Sequence, residues 1–165
     1  MAELIIRQAE EKDILQIAEI EKQCFTVPWS YESLCYDILE NNLSFYIVAE
    51  IEGKVCGYVG IWNIVDEGHI NNVAVAPAYR RKHIGSALLD VLIGTCEAEG
   101  ILRLTLEVRA GNTPARRLYE QKGFLEAGLR KGYYEDNHED AVIMWRGSAA
   151  ASGEAEEGAE EQDTI

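Results

Sequence analysis

Apolar positions recur along this 165-residue chain with two periods, and the changes from one to the other mark out short alternating elements. Residues 4–9 alternate as a short strand. Over residues 13–25, Ile14, Ile17, Ala18, Cys24 and Phe25 fall at helical spacing. Thr26-Val27-Pro28-Trp29 breaks that helix, and Ser30 is a good N-cap for a second one, running to about Glu40. Strands follow at 44–51 and 54–65, joined by a turn at Glu52-Gly53, and then at about 68–75. Pro77 ends the strand pattern. The loop Arg80-Arg81-Lys82-His83-Ile84-Gly85 leads into a helix with Ala87, Leu88, Val91, Leu92, Thr95 and Cys96 as its expected buried stripe, and Gly100 fits its C-terminal cap. A leucine-rich strand at 102–108 is followed by a helix that Thr113-Pro114 opens and Gly123 ends. Strands at about 125–131 and 139–145 complete the pattern.

The alternation in the middle of the chain predicts parallel neighbours, whereas the Glu52-Gly53 hairpin is antiparallel. An α/β fold follows, with a mixed sheet of about seven strands and helices on both faces. Residues 1–147 read as one domain. The segment 148–165, made chiefly of Ala, Gly, Ser and Glu, reads as an acidic, disordered tail.

Charge narrows the partners. The net charge is −14, and six of the acids lie in the tail, leaving −8 for residues 1–147. An acidic body disfavours direct nucleic-acid binding, in which phosphate contacts dominate, and suits a basic partner. No apolar run approaches the roughly 18 residues that span a bilayer, and the start has no signal-peptide pattern, so a cytoplasmic protein without membrane attachment is expected. Cys24, Cys35, Cys56 and Cys96 are scattered among apolar neighbours and read as buried reduced thiols. With His69, His83 and His138 they form no metal-ligand spacing, so no metal is expected.

The basic loop is the first chemical signal. It joins a strand to a helix whose first amides lack internal partners, which makes an anion site from free N–H groups and the positive end of the helix dipole. A basic surface turn is the alternative. The P-loop pattern is absent.

At this loop the chain resembles the GNAT superfamily of N-acetyltransferases, whose signature is [RQ]-x-x-G-x-[GA]. Arg80 to Gly85 supplies that pattern with His83 in place of the first glycine. Pro28-Trp29-Ser30, Asn72-Val73-Ala74-Val75-Ala76-Pro77, Leu106-Glu107-Val108-Arg109-Ala110-Gly111-Asn112, Leu118-Tyr119-Glu120 with Gly123-Phe124, and Arg130 to Tyr134 with Glu139-Asp140-Ala141 are similar to the RimI family, the ribosomal-protein alanine N-acetyltransferases. The resemblance covers about residues 3–146. It implies a GNAT-like, mostly antiparallel central sheet and acetyl-coenzyme A as cosubstrate. The implied acceptor is a basic protein N-terminus, the alanine of small-subunit ribosomal protein eighteen. It also implies that Arg80, Arg81, Lys82, His83, Ile84, Gly85 and Ser86 wrap the pyrophosphate. Val73, Ala74 and Val75 would bind the pantetheine arm through backbone groups, with the Val75 amide as oxyanion donor, and Asn112 would contact coenzyme A.

Transfer of an acetyl group to an amine needs a neutral amine, a stabilised oxyanion and a protonated leaving thiolate. An α-amine of pKa about 8 is neutral in roughly a tenth of molecules at pH 7, so a carboxylate acting directly or through water can serve as base. In Leu104-Thr105-Leu106-Glu107-Val108 the apolar side chains share one strand face and Thr105 and Glu107 the other. A carboxylate on a central strand is costly unless it lines a cleft. Glu107 is therefore the candidate base, a role the resemblance also gives it, with a salt bridge to a neighbour such as Arg109 as the structural alternative. Glu67, at the start of the preceding strand, is the rival base. Tyr119 is by resemblance the general acid, and otherwise a core tyrosine. Trp29, Tyr133 and Tyr134 are candidates for the acceptor pocket. The alternatives in function are a GNAT enzyme acting on lysine side chains or a small amine, and a non-catalytic acetyl-coenzyme A-binding module.

Overall fold

The structure, a computed structural model, describes residues 3–147; the expected tail at 148–165 lies outside the described residues. Seven strands form one sheet: β1 (Leu4–Gln8), β2 (Ser44–Ile51), β3 (Lys54–Ile64), β4 (Glu67–Val75), β5 (Arg103–Arg109), β6 (Leu125–Arg130) and β7 (Ala141–Gly147). Their spatial order is β1-β2-β3-β4-β5-β7-β6. All neighbours but one pair are antiparallel; β2 and β3 are joined by the tight turn at Glu52-Gly53, where both residues take the positive φ (53° and 78°) that such a hairpin requires. The exception is β4 with β5, which are parallel because a helix crosses between them.

Four α-helices cover the two faces: α1 (Ile14–Cys24), α2 (Tyr31–Cys35), α3 (Ile84–Ala98) and α4 (Thr113–Gln121). Ser30 caps α2 as expected, its side chain accepting from the Ser33 amide at 3.1 Å. A turn of π-helix, Tyr36–Glu40, then extends it, closed by the Asn41 amide donating to the Tyr36 carbonyl. α1 and α2 pack on one face against Tyr46, Val48, Tyr58 and Ala74. α3 and α4 pack on the other against Val59, Ile61, Ile70, Leu104, Leu106 and Met144.

The α3 stripe differs from expectation. Val91 is exposed, and Ile84, Leu88, Leu89, Leu92, Ile93 and Cys96 are buried. Two i, i+4 rows, 84-88-92 and 89-93, face the sheet, a quarter-turn away from the row that includes Val91. Burial of Leu88, Leu89 and Leu92 is complete, at about 2 kcal/mol each by apolar transfer.

Two irregularities shape the sheet. β4 carries a bulge opposite Gly60 and Ile61, where Asn72 pairs with Gly60, Ile70 pairs with Ile61, and Asn71 is the extra residue. Gly60 leaves room there, because a Cβ would lie 2.5 Å from the Tyr46 ring. Secondly, β4 and β5 pair only at Glu67–Arg103, Gly68–Leu104 and His69–Thr105. Beyond His69 the strands diverge, leaving a cleft at their carboxyl ends between the N-terminal ends of α3 and α4. Openings at strand carboxyl ends are where α/β sheets bind ligands.

Candidate active site

The cleft has a β4 wall and a β5 wall. On the β4 wall the Ala76 amide donates to the Cys56 carbonyl of β3 at 2.8 Å. By strand alternation, the Val73 and Val75 backbone groups then face the open side, and the Ala74 side chain is buried in the core. Arg80 folds back here: its Nε donates to the Val75 carbonyl at 3.1 Å and its Nη2 approaches Cys24 Sγ at 3.3 Å. The guanidinium therefore braces the strand end, and the anion-binding capacity of the loop rests on its backbone.

That backbone is unusual. Arg81 and His83 both take left-handed conformations (φ 65° and 62°), and His83 is the N-cap of α3. The conformation favours glycine, which accounts for a motif with glycine at this position; histidine tolerates it better than most side chains. The His83 carbonyl accepts from the Ala87 amide, so the amides of Ile84, Gly85 and Ser86 have no helical partner. They point outward with the positive end of the helix dipole. At Gly85 a Cβ would meet only Leu118 and Val75 at ordinary contact distances, 3.6 and 3.8 Å, so the chain's own packing does not demand glycine. Lys82 lies over the Tyr79 ring. These residues fit a diphosphate: free amides, basic side chains and close backbone access at Gly85.

On the β5 wall, Glu107 lies on the face predicted from the alternation. Its partners were not predicted. Oε1 is 3.5 Å from His69 Nε2, and Oε2 is 3.4 Å from Arg130 Nε. Neither approach has hydrogen-bond geometry. Glu107 Oε2, His69 Nδ1 and the Arg130 Nε and Nη2 atoms are all buried without a hydrogen-bond partner among the described residues. The expected alternative partner, Arg109, instead grips Asp136 at 2.9 Å and Glu139 at 3.4 Å and lies 3.9 Å from the Tyr134 ring centre. The loop carrying Tyr133 and Tyr134 is thereby tied to β5. Tyr133 covers Arg130, and the two tyrosine rings meet edge to face at 5.1 Å. Burial pushes both hydroxyls above their ordinary value.

Glu67 is committed elsewhere. It pairs with Arg103 at 2.8 Å where β4 and β5 still hydrogen-bond, four residues along β5 from Glu107 and so about 13 Å away at strand rise. Trp29 is brought towards Glu107 through a row of rings: Trp29 to Trp62 at 6.5 Å, and Trp62 to His69 at 6.5 Å. Tyr119 lies on the opposite face of the sheet, 9% exposed and edge to face with Phe124, and its hydroxyl makes no hydrogen bond among the described residues. Burial raises its hydroxyl to about 12, which keeps the proton on. Asn112 caps α4, its side chain accepting from the Ala115 amide at 3.3 Å.

Sequence reasoning also passed over Glu21. Its side chain is fully buried on α1, with Oε1 accepting from the Trp29 amide (2.9 Å) and Oε2 from Asn72 Nδ2 (2.9 Å) and the Tyr58 hydroxyl. Burial raises its carboxyl pKa, against the lowering effect of the Trp29 and Asn72 hydrogen bonds. One carboxylate thus links the Trp29 loop to the bulge of β4. The signal was available, since Glu21 sits in the apolar stripe of Ile14, Ile17 and Ala18. No disulfide joins the four cysteines, and no cluster of metal-ligating side chains occurs among the described residues. No helix there is long and apolar enough to cross a membrane.

Comparison with known proteins agrees with this architecture. Residues 14–124 match the model of the Acetyltransferase (GNAT) family. The chain is 38% identical over 141 residues to the ribosomal protein bS18-alanine N-acetyltransferase of Escherichia coli (strain K12), covering 84% of this chain and 94% of that protein. It is 41% identical over 140 residues to a Bacillus subtilis protein named provisionally for the same activity, covering 85% and 93%. The crystal structure of the ribosomal-protein-S18-alanine N-acetyltransferase from Escherichia coli superposes with a TM-score of 0.82 at 34% identity, covering 88% of this chain and 94% of that one.

Proposed function

The chain belongs to the GNAT family of acetyltransferases, and from that premise we propose that it acetylates the N-terminal alanine of ribosomal protein bS18 by direct transfer within a ternary complex. The observation that carries this reading is Glu107, a carboxylate with a buried, unbonded oxygen at the mouth of the cleft where β4 and β5 part. The names of the relatives supply the acceptor. The acidic body suits a basic one, and a ribosomal-protein acceptor puts the enzyme in the cytoplasm.

Acetyl-coenzyme A is the cosubstrate in this reading and brings the thioester. The amides of residues 81–86 hold its diphosphate, with Lys82 and the helix dipole adding positive charge. The open edge at Val73 and the Val75 amide holds the pantetheine arm as an added strand would be held, the Val75 carbonyl being taken by Arg80, and Asn112 flanks it from the start of α4. Glu107 takes a proton from the α-ammonium, the neutral nitrogen then bonds to the thioester carbon, and the surplus proton on that nitrogen passes to solvent as the amide forms. The Val75 amide stabilises the oxygen that gains charge. Tyr119, protonated at neutral pH, gives its proton to the sulfur as the carbon–sulfur bond breaks, and is reset from solvent. Trp29, Tyr133 and Tyr134 wall the acceptor entrance.

The test is a peptide panel with acetyl-coenzyme A in which the first residue is varied and the α-amine is free or blocked. Acetylation of free alanine termini, and none of blocked peptides lacking lysine, is expected. Acetylation of lysine side chains with indifference to the α-amine would refute the proposed acceptor.

A further inference from the structure

The donors beside Glu107 form a second half of the acceptor site. Arg130, the last residue of β6, presents two buried donors with no partner, Nε and Nη2, and Nε stands 3.4 Å from an equally unpartnered Glu107 oxygen. Unsatisfied buried donors are costly, more so when charged, and such pairs of free donor and free acceptor suit a ligand carrying the complementary pair. Arg103 also has unbonded donors on this face, but it is bound to Glu67 and lies against Trp145, towards the closed end of the strand pair. Arg130 is the guanidinium at the base itself. Its cover is the Tyr133 ring, 42% exposed on the turn after β6, a small obstruction to displace.

The geometry points to Arg130 as the residue that reads the first peptide carbonyl of the acceptor, so that Glu107 and Arg130 together recognise an α-aminoacyl group and not merely an amine. This inference rests on the N-terminal reading above. An N-terminal residue carries an amine and, on the adjoining carbon, a carbonyl group. Its amine donates to Glu107 while its carbonyl oxygen accepts from Arg130. A lysine side-chain amine stands at the end of a flexible four-carbon stem and offers no carbonyl at that spacing. Discrimination then comes from a charged hydrogen bond that only one acceptor can complete.

The experiment compares wild type, Arg130→Met and Arg130→Gln on two acceptors: a peptide with a free α-amine, and the same sequence with a blocked α-amine and one lysine. The ratio of kcat/KM for the α-amine to that for the lysine should fall by about 10- to 100-fold in Arg130→Met, the usual worth of a charged hydrogen bond. Arg130→Gln keeps a donor without the charge and should lower the ratio only part-way, by about 3- to 10-fold, because a neutral hydrogen bond is roughly half as strong as a charged one. A rise in melting temperature with acetyl-coenzyme A confirms that each variant is folded, and Arg130→Gln carries the test if the methionine variant is not. An unchanged ratio in Arg130→Met, or a glutamine variant no better than methionine, would overturn the inference while leaving α-amine acetylation by the wild type standing. Wild type that acetylates neither peptide would overturn the acceptor reading itself, and this one with it.

Discussion

His69 and Glu107 face each other across the point where β4 and β5 cease to pair, with 3.5 Å between Nε2 and Oε1. The ladder ends at His69–Thr105, and Glu107 stands two residues further along β5, so this contact carries the pairing one step on through side chains. It also ends the row of rings from Trp29 through Trp62, so the acceptor entrance and the proposed base are mechanically continuous.

His69→Phe should preserve the edge-on packing against Trp62 and delete the nitrogen beside Glu107. The expected result is a loss of about tenfold in kcat/KM for the acceptor, the size of one modest polar interaction, with the KM for acetyl-coenzyme A unchanged. Steady-state kinetics with each substrate varied in turn would check it. An equal loss for both substrates would instead indicate a disturbed fold.

His83→Gly removes a Cβ from a left-handed position. The relieved strain, about 1 kcal/mol, is offset in part by the greater freedom of glycine in the unfolded chain. The melting temperature should therefore hold or rise by a few degrees, and the further rise on adding acetyl-coenzyme A should match that of wild type. A markedly smaller ligand-induced rise would mean that the imidazole, and not the loop backbone, holds the diphosphate.

Asp13 tests the electrostatics of the fold away from the site. It is 1% exposed, and its carboxylate takes two bonds from Arg7 (2.8 and 2.9 Å) and one from the Glu10 amide. Burial works to raise its pKa, but the Arg7 and Glu10 hydrogen bonds prevail and hold it below the ordinary 3.8. A depressed carboxylate contributes stability that is full above its unfolded pKa and is lost as pH falls towards the folded one. Asp13→Asn should cost about 2 kcal/mol at pH 7, and the gap from wild type should close below about pH 4. Urea unfolding at a series of pH values measures both; a gap that widens in acid would contradict the assignment.

Much of this was legible in the sequence because it is local. Ser30, the Glu52-Gly53 turn, the helix start at Thr113-Pro114 and the placing of Glu107 on the strand face opposite the leucines each follow from a few neighbouring residues. What escaped depends on residues far apart in the chain. The bulge at Asn71 puts Ile70 and Val73 on the same face of β4, which strict alternation forbids. Arg130 stood in a recognised motif without a role, because its partner Glu107 lies on a strand that is not its neighbour in the sheet. The resemblance places Arg80 in the pyrophosphate loop, whereas the fold turns its side chain back onto the Val75 carbonyl.

Tyr119→Phe separates the acid from the base. Burial raises the Tyr119 hydroxyl to about 12, so it remains a donor through the working range. The variant should lose about 10- to 100-fold in kcat, and the deficit should persist up to about pH 10, because alkali supplies no proton to the leaving sulfur. A deficit that vanishes at high pH would remove Tyr119 from that role.

The central claim is that Glu107 takes the proton from the α-amine, and the pH–rate profile of Glu107→Gln against wild type tests it most directly. At pH 7 the variant should turn over about 10²–10⁴-fold more slowly on a free-alanine peptide, with acetyl-coenzyme A affinity nearly unchanged. As pH rises past the amine's own pKa of about 8, the substrate arrives already neutral and the deficit should shrink steadily. A Glu107→Gln enzyme with near-normal rates at pH 7, or a deficit that stays constant from pH 7 to 10, would contradict the account.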